Sequence, residues 1–271
     1  MPELPEVETT RKGIQPKVEG QTIKHLIVRN PALRWPVPEE LTETLPGKVI
    51  RRVKRRAKYL LLETDQGTLI LHLGMSGNLR VLPHDTPVKK HDHIDLVMEN
   101  GFLLRYHDPR RFGAFLWTES PIENHPLFEH LGPEPLTDDF SVEGFFQQTR
   151  NKSVSIKSFI MNNKNVVGVG NIYANEALFM SGISPTKPAG TLTRDQTDRL
   201  VQNIKSVLKT AINQGGTTLK DFLTPDGQPG YFEQQLNVYG KAGTPCPTCR
   251  THIVKIVQNQ RASYYCPNCQ C

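Results

Sequence analysis

Apolar positions fall into two different rhythms along this chain of 271 residues. Between about 22 and 117 they come in short runs rich in Val, Leu and Ile, at 48–54, 59–64, 68–72, 92–98 and 102–106. Turn signals separate the runs, among them Asp65-Gln66-Gly67 and Asn100-Gly101. Short runs with no helices between them predict antiparallel strands folded into a sandwich. Ahead of them, Val7 and Ile14 mark one stripe of a helix that opens in Pro2-Glu3-Leu4-Pro5-Glu6 and ends near Pro16. After Leu131-Gly132-Pro133-Glu134-Pro135-Leu136 the period becomes helical. The clearest helix covers 194–213, with Leu200, Val201, Ile204, Val207, Leu208, Ala211 and Ile212 on one face. Thr193 and Gln196 supply its capping box, and Gly215-Gly216 its stop. Shorter helices are predicted at 142–149, 156–162 and 172–180, and a β-hairpin from 251–258 and 261–265. The fold class is α+β: an N-terminal helix with an antiparallel β-sandwich, then a helical domain, then the hairpin.

Composition adds a partner class. The formal net charge is +6 and the sequence pI about 9.0, which tilts the reading toward a polyanion, nucleic acid first. No apolar run reaches membrane-spanning length, and the acidic N-terminus lacks the pattern of a signal peptide, so a cytoplasmic protein is expected. Four of the five cysteines form two pairs, Cys246-Pro-Thr-Cys249 and Cys266-Pro-Asn-Cys269. Each C-x-x-C aims two thiolates at one centre, and two such knuckles make a closed site for one structural Zn²⁺. An iron site or a redox pair is the competing reading. Cys271 stands outside the four-ligand pattern.

Candidate chemistry begins at the first residues. Methionine before a small residue is normally clipped, which would leave Pro2 with a free secondary amine. An α-amino group titrates near ~8, so burial or a neighbouring cation can leave it neutral and nucleophilic. Against a sugar aldehyde carbon it would form an iminium ion, with Glu3 beside it as an acid and Glu6 three residues on. The bland reading is a helix start, where proline and acidic residues are favoured anyway. Within the basic run Arg51, Arg52, Lys54, Arg55, Arg56 and Lys58, most charges read as a solvated face, but Lys58 leads into an apolar strand and is expected half-buried. Asp108-Pro109-Arg110-Arg111-Phe112-Gly113 suits either a base-unstacking wedge or a surface turn with Phe112 in the core. Met75, near the apex of His72-Leu73-Gly74-Met75-Ser76-Gly77, reads as a second wedge or a core methionine. His91-Asp92-His93 places two histidines on one strand face, for a phosphate contact or simple packing. Gly168-Val169-Gly170-Asn171 is either a phosphate nest at a helix start or a tight turn, with Asn171 capping the helix or donating to the phosphate. Arg261, near the hairpin tip, is placed to reach into DNA.

Taken in order, these motifs resemble one family over essentially the whole chain. P-E-L-P-E-V, R-R-A-K-Y-L-L-L, H-L-G-M-S-G, K-H-D-H, D-P-R-R-F-G, L-G-P-E-P-L, G-V-G-N-I-Y-A, G-G-T-T-L-K-D-F and the cysteine ribbon are similar to those of bacterial formamidopyrimidine-DNA glycosylases. Leu4 resembles this oxidised-purine branch more than the oxidised-pyrimidine branch, where glycine is usual. The resemblance implies a bifunctional DNA glycosylase and abasic-site lyase working through a Schiff base and β,δ-elimination. It implies Pro2 as the nucleophile at C1′, Glu3 as its acid, Lys58 as the proton donor in β-elimination and Arg261 as the donor linked with δ-elimination and a phosphate ligand. Glu6 is a supporting residue. Lys157 and Asn171 match positions at the lesion or its flanking phosphates, and His91, Arg110 and Lys152 match DNA contacts. Met75, Arg110 and Phe112 match the trio that fills the gap left by the flipped nucleotide. The segment 216–231 matches the loop that covers the flipped purine.

The implied organisation is a catalytic β-sandwich domain over 1–131, a helix–two-turn–helix domain over 132–236 and a zinc finger over 237–271. The expected partner is damaged double-stranded DNA, the expected form a monomer, and the expected place the bacterial cytoplasm at the nucleoid. Two other functions compete: a non-catalytic zinc-ribbon protein that binds nucleic acid, and a pyrimidine-selective relative.

Overall fold

The computed structural model describes residues 2–215 and 236–271, which fall into two compact units, 2–129 with 214–215, and 130–213 with 236–271. In the first unit, helix α1 (Leu4–Val18) leads into strands β1 (Ile23–Val28), β2 (Arg52–Arg56), β3 (Tyr59–Glu63), β4 (Thr68–His72), β5 (Asn78–Pro83), β6 (Asp92–Met98), β7 (Phe102–His107) and β8 (Ala114–Thr118), with a short helix α2 (Leu41–Thr44) between β1 and β2. They form two four-stranded sheets, β1-β6-β7-β5 and β2-β3-β4-β8, antiparallel throughout. Leu60, Leu62, Leu69, Leu71 and Phe115 from one sheet meet Leu26, Ile94, Leu96, Leu104 and Tyr106 from the other in a single core. Val7, Ile14 and Val18 of α1 join the same core. Each fully buried Leu, Ile or Val contributes about 1.5–3 kcal/mol, so the sandwich and its leading helix are bound into one body.

Three sequence expectations shift here. The strand expected at 48–54 begins only at Arg52 and continues to Arg56. The reason is that 48–50 are taken by another partner: Thr22 bridges Val49, and Ile23 N–H donates to Lys48 O at 2.9 Å. Helix α1 runs past Pro16, which it contains, to Val18. His91 does not lie on the strand face with His93. It precedes β6 in a left-handed conformation (φ 73°), and the ladder shifts register between Asp92 and Ile94.

In the second unit, α3 (Val142–Thr149), α4 (Ile156–Ile160), α5 (Asn171–Ser181) and α6 (Arg194–Asn213) precede the hairpin β9 (Val254–Gln258) and β10 (Arg261–Tyr265). Helix α4 is shorter than the expected 156–162. Helix α6 is bounded as its pattern predicts, and the Thr193–Gln196 box closes both ways at 3.1 Å. Ile212 is only half-buried, and Gly215 takes the left-handed φ of 80° that ends such a helix. Gly216 and the rest of the expected loop 216–231 lie outside the described residues. Helix α5 is buried nearly all round, the mark of a central helix. Among the described residues no helix is long and apolar enough to cross a membrane.

Candidate functional site

Pro2 is buried, and Glu3 behind it is 2% exposed. Glu3 is the N-cap of α1, and its extended backbone turns the chain out of the helix toward Pro2. The cap is reciprocal: Glu6 Oε2 accepts the Glu3 N–H at 2.8 Å, and the Glu3 side chain accepts the N–H of Glu6. Glu6 is therefore engaged in holding Glu3, as a supporting residue would be. The hexapeptide is a capped helix start that buries Pro2 and Glu3 together. Met1 lies outside the described residues.

Lys58 is half-buried in the two-residue turn between β2 and β3. Next to it, burial pushes His72 down to about 4, helped by the charges of Lys58 and Arg34. His72 is thus a neutral imidazole near pH 7. Its Nδ1 accepts the Gly74 N–H at 3.0 Å, which leaves the ring proton on Nε2.

The two glycine-flanked loops stand against each other. Gly74 is left-handed (φ 63°), and a Cβ there would lie 2.5 Å from the Phe112 carbonyl carbon. Asp108 joins the loops. Its Oδ1 accepts from Ser76 Oγ at 2.8 Å and its Oδ2 from Tyr106 Oη and Gly113 N–H, both at 3.0 Å. Tyr106 is held un-ionised by burial and then by the Asp108 charge. The result is a rigid base that carries Met75, Arg110 and Phe112. Phe112 is 43% exposed, so it is not the core residue of the alternative reading, and Arg110 stacks 5.1 Å from its ring centroid. Met75 is half-buried.

His91 lies among cations. Burial first, then Lys90, His107, His93 and Arg111, lower its pKa, so it is neutral further into the acid range than a free histidine. His93 is buried and bonds the Asp108 carbonyl at 2.8 Å, and Asp92 pairs with Arg80 and His107. The triplet thus serves packing at two of its three positions.

In the second unit, Lys157 and Asn171 converge on one carbonyl. Lys157 Nζ donates to Ala262 O at 2.8 Å and Ser263 Oγ at 2.7 Å, and Asn171 Nδ2 donates to Ala262 O at 3.0 Å. Both therefore hold the strand immediately after Arg261, whose own side chain is exposed at the start of β10. Asn171 does not cap α5; the N-cap is Gly170, and Gly168 before it is left-handed (φ 79°). Lys152 is exposed after α3.

The four ribbon sulfurs lie within 4.8 Å of one another, with Cys246–Cys269 at 3.9 Å and Cys249–Cys266 at 3.4 Å. Zinc–sulfur bonds of ~2.3 Å in a tetrahedron put sulfurs about 3.8 Å apart, so the set fits one zinc. Hydrogen bonds from Thr251 and Asn268 draw Cys249 down to about 5, whereas its bond with Cys249 and burial push Cys269 up to about 12. Four crowded thiols of this kind ionise together only around a cation. Cys271 is exposed and outside the set; its backbone bonds Gly182 and Ser184.

Sequence reasoning missed two carboxylates. In sequence, Asp108 reads only as the opening of a loop. Glu176 of α5 is buried and accepts from the N–H groups of Asn237, Val238 and Tyr239 and from Asn237 Nδ2, all within 2.7–2.9 Å. It thereby anchors the chain entering the ribbon. A lone helical glutamate reads as a solvated residue, and no local signal marks it otherwise.

Family models for the formamidopyrimidine-DNA glycosylase N-terminal domain, the H2TH domain of the same enzymes and the zinc finger found in FPG and IleRS match residues 1–115, 131–223 and 243–270. A formamidopyrimidine-DNA glycosylase of Hydrogenovibrio crunogenus is 68% identical over 100% of this chain and 96% of its own length. One from Vibrio parahaemolyticus is 59% identical over 100% of both chains. The crystal structure of MutM (FPG) from Thermus thermophilus has a TM-score of 0.89 at 38% identity, covering 99% of this chain and 98% of that one. A Lactococcus lactis FPG mutant in complex with Fapy-dG containing DNA has a TM-score of 0.92 at 34% identity over 99% of both chains.

Proposed function

This chain belongs to the formamidopyrimidine-DNA glycosylase family and is a DNA glycosylase of oxidised purines with abasic-site lyase activity, and from that premise we propose which of its residues carry the reaction. Its partner is damaged DNA, and it holds one structural zinc through Cys246, Cys249, Cys266 and Cys269. Pro2, freed of Met1, attacks C1′ of the damaged nucleotide through its ring nitrogen. The base departs with its bonding electrons, and Glu3 protonates the sugar ring oxygen as the ring opens. The resulting iminium acidifies the 2′ C–H; water takes that proton, the C3′–O bond breaks with its electrons leaving on the 3′ phosphate, and Lys58 serves as the proton donor of this elimination. Arg261 serves the later loss of the 5′ phosphate and binds the backbone.

The observation that supports this assignment is the buried Pro2-Glu3 pair at the mouth of α1, with Glu6 fixing the Glu3 backbone at 2.8 Å. A carboxyl locked by a helix cap next to the terminal amine has one geometry to offer the sugar, which is what orientation contributes to catalysis. Base chemistry needs the nucleotide out of the stack. Met75, Arg110 and Phe112 fill the space it leaves, and His91, Lys152, Lys157 and Asn171 hold the backbone directly or through the hairpin. We read the chain as a monomer of the bacterial cytoplasm, divided into domains at 1–131, 132–236 and 237–271.

Borohydride reduction during turnover tests the assignment of Pro2. A covalent protein–DNA adduct is expected on duplexes carrying 8-oxoguanine or an abasic site, and its peptide map should place the DNA on Pro2. Trapping that persists undiminished after the N-terminal amine is blocked removes Pro2 from the mechanism.

A further inference from the structure

We propose that Arg55 is a positioning residue for Lys58, joining the helix that carries Pro2 and Glu3 to the turn that presents the ammonium. The inference rests on the reading of Lys58 as the proton donor of strand cleavage. The turn has only two residues, Ala57 and Lys58, between the pairs Arg56–Tyr59 of β2 and β3. So short a connection needs a left-handed residue and usually takes glycine or asparagine there. Here that residue is Ala57, buried and at φ 52°. An L-residue with a Cβ in that region costs roughly 1–2 kcal/mol and persists only where its surroundings hold it.

Arg55 supplies that hold. Its Nη1 donates to the Ala57 carbonyl at 2.8 Å, and its Nε donates to Glu8 Oε2 at 3.0 Å. Glu8 belongs to α1 and is gripped from its other side by Arg11 Nη2 at 2.8 Å. The Arg55 and Glu8 side chains are only 11% and 15% exposed, so water competes little for these bonds. Burial by itself would raise the Glu8 carboxyl, yet the hydrogen bonds and charges of Arg11 and Arg55 bring it below its ordinary value. The planar guanidinium serves two acceptors in fixed directions, which an ammonium cannot do. One rigid side chain therefore sets the turn bearing Lys58 relative to the helix bearing the nucleophile.

The test compares wild type, Arg55→Lys, Lys58→Ala and the double variant, measuring nicking of a duplex with a preformed abasic site. Arg55→Lys keeps the charge and loses the fork. It is expected to lower kcat for nicking about tenfold with KM little changed, since small misplacements act on the chemical step. In the Lys58→Ala background the same substitution should cost nothing more, because both act through one group. Glu8→Gln loosens the clamp from its other end and should give a smaller loss of the same sign. Wild-type nicking by Arg55→Lys and Glu8→Gln overturns the proposal, and so does an undiminished tenfold loss in the Lys58→Ala background. Should Lys58→Ala itself nick like wild type, the role of Lys58 is wrong and the proposal falls with it, a result distinct from the other two.

Discussion

Asp108 draws together a serine, a tyrosine and two loop amides, at Ser76, Tyr106, Gly113 and Arg110. It is fully buried, and these donors satisfy both of its carboxyl oxygens. Removing a buried acceptor leaves each donor unsatisfied at a cost of about 1–3 kcal/mol, so Asp108→Ala should destabilise the protein by roughly 3 kcal/mol. Urea unfolding measures this, and a loss below about 1 kcal/mol would mean that the loops carrying Met75 and Phe112 are held by something else. Nothing in Asp108-Pro109-Arg110-Arg111-Phe112-Gly113 announces this role, since Ser76, the partner that ties the two loops together, lies on a distant segment. Lys157 shows the same blindness. Its place in a short helix is legible, but its partners Ala262 and Ser263 are about a hundred residues away in sequence. The helix start at Pro2-Glu3-Leu4-Pro5-Glu6 is legible because its proline and acidic residues act within one turn, and the structure adds the Glu3–Glu6 box.

Among the elements, the hairpin β9–β10 depends on help from outside itself. Its two tip residues, Asn259 and Gln260, are both left-handed at φ 48° and 62°, as a tight hairpin requires. Asparagine accepts this easily and glutamine less so. The strands are short and Val257 is exposed, so the pair has little core of its own beyond Val238, Ile253 and the cysteines. Zinc compensates, since structural sites contribute on the order of 10 kcal/mol at neutral pH. Stripping the metal with a strong chelator should open the ribbon to trypsin at Lys255 and Arg261 and abolish specific DNA binding. A chelated protein that keeps its affinity would show that Lys157, Asn171 and Asn175, whose Oδ1 accepts the Tyr264 N–H at 2.7 Å, suffice to hold the hairpin. The sequence pattern places this hairpin and α6, each specified locally by turn residues or by period, although the first strand expected at 251–258 begins only at Val254. It misplaced the strand at 48–54 because the pairing of Val49 with Thr22 is decided by a distant segment.

For the molecule as a whole, the net charge of +6 bears on the encounter with DNA. Neutralising about four phosphates, by residues such as Arg110, Lys152 and Arg261, gives a slope of log K against log salt near −3.6. Affinity should then fall on the order of 100-fold between about 50 and 200 mM salt. Fluorescence anisotropy on an abasic-site analogue duplex checks this, and a flat salt response would mean that phosphate contacts do not dominate binding.

What the sequence determined by itself is whatever short-range chemistry specifies: the sandwich strands with their hairpin turns, the capped helices, the four-sulfur zinc site and the start of α1 at Pro2-Glu3. Each of these is written within a few residues or in one repeating spacing. Only the tertiary structure decided that Asp108 locks two loops together, that Lys157 is spent on the ribbon, that Glu176 anchors the chain entering it, and that Arg55 grips the turn of Lys58. Those contacts satisfy buried polar groups, and a buried group takes its partner from whatever the fold brings within about 3 Å, however far away it lies along the chain.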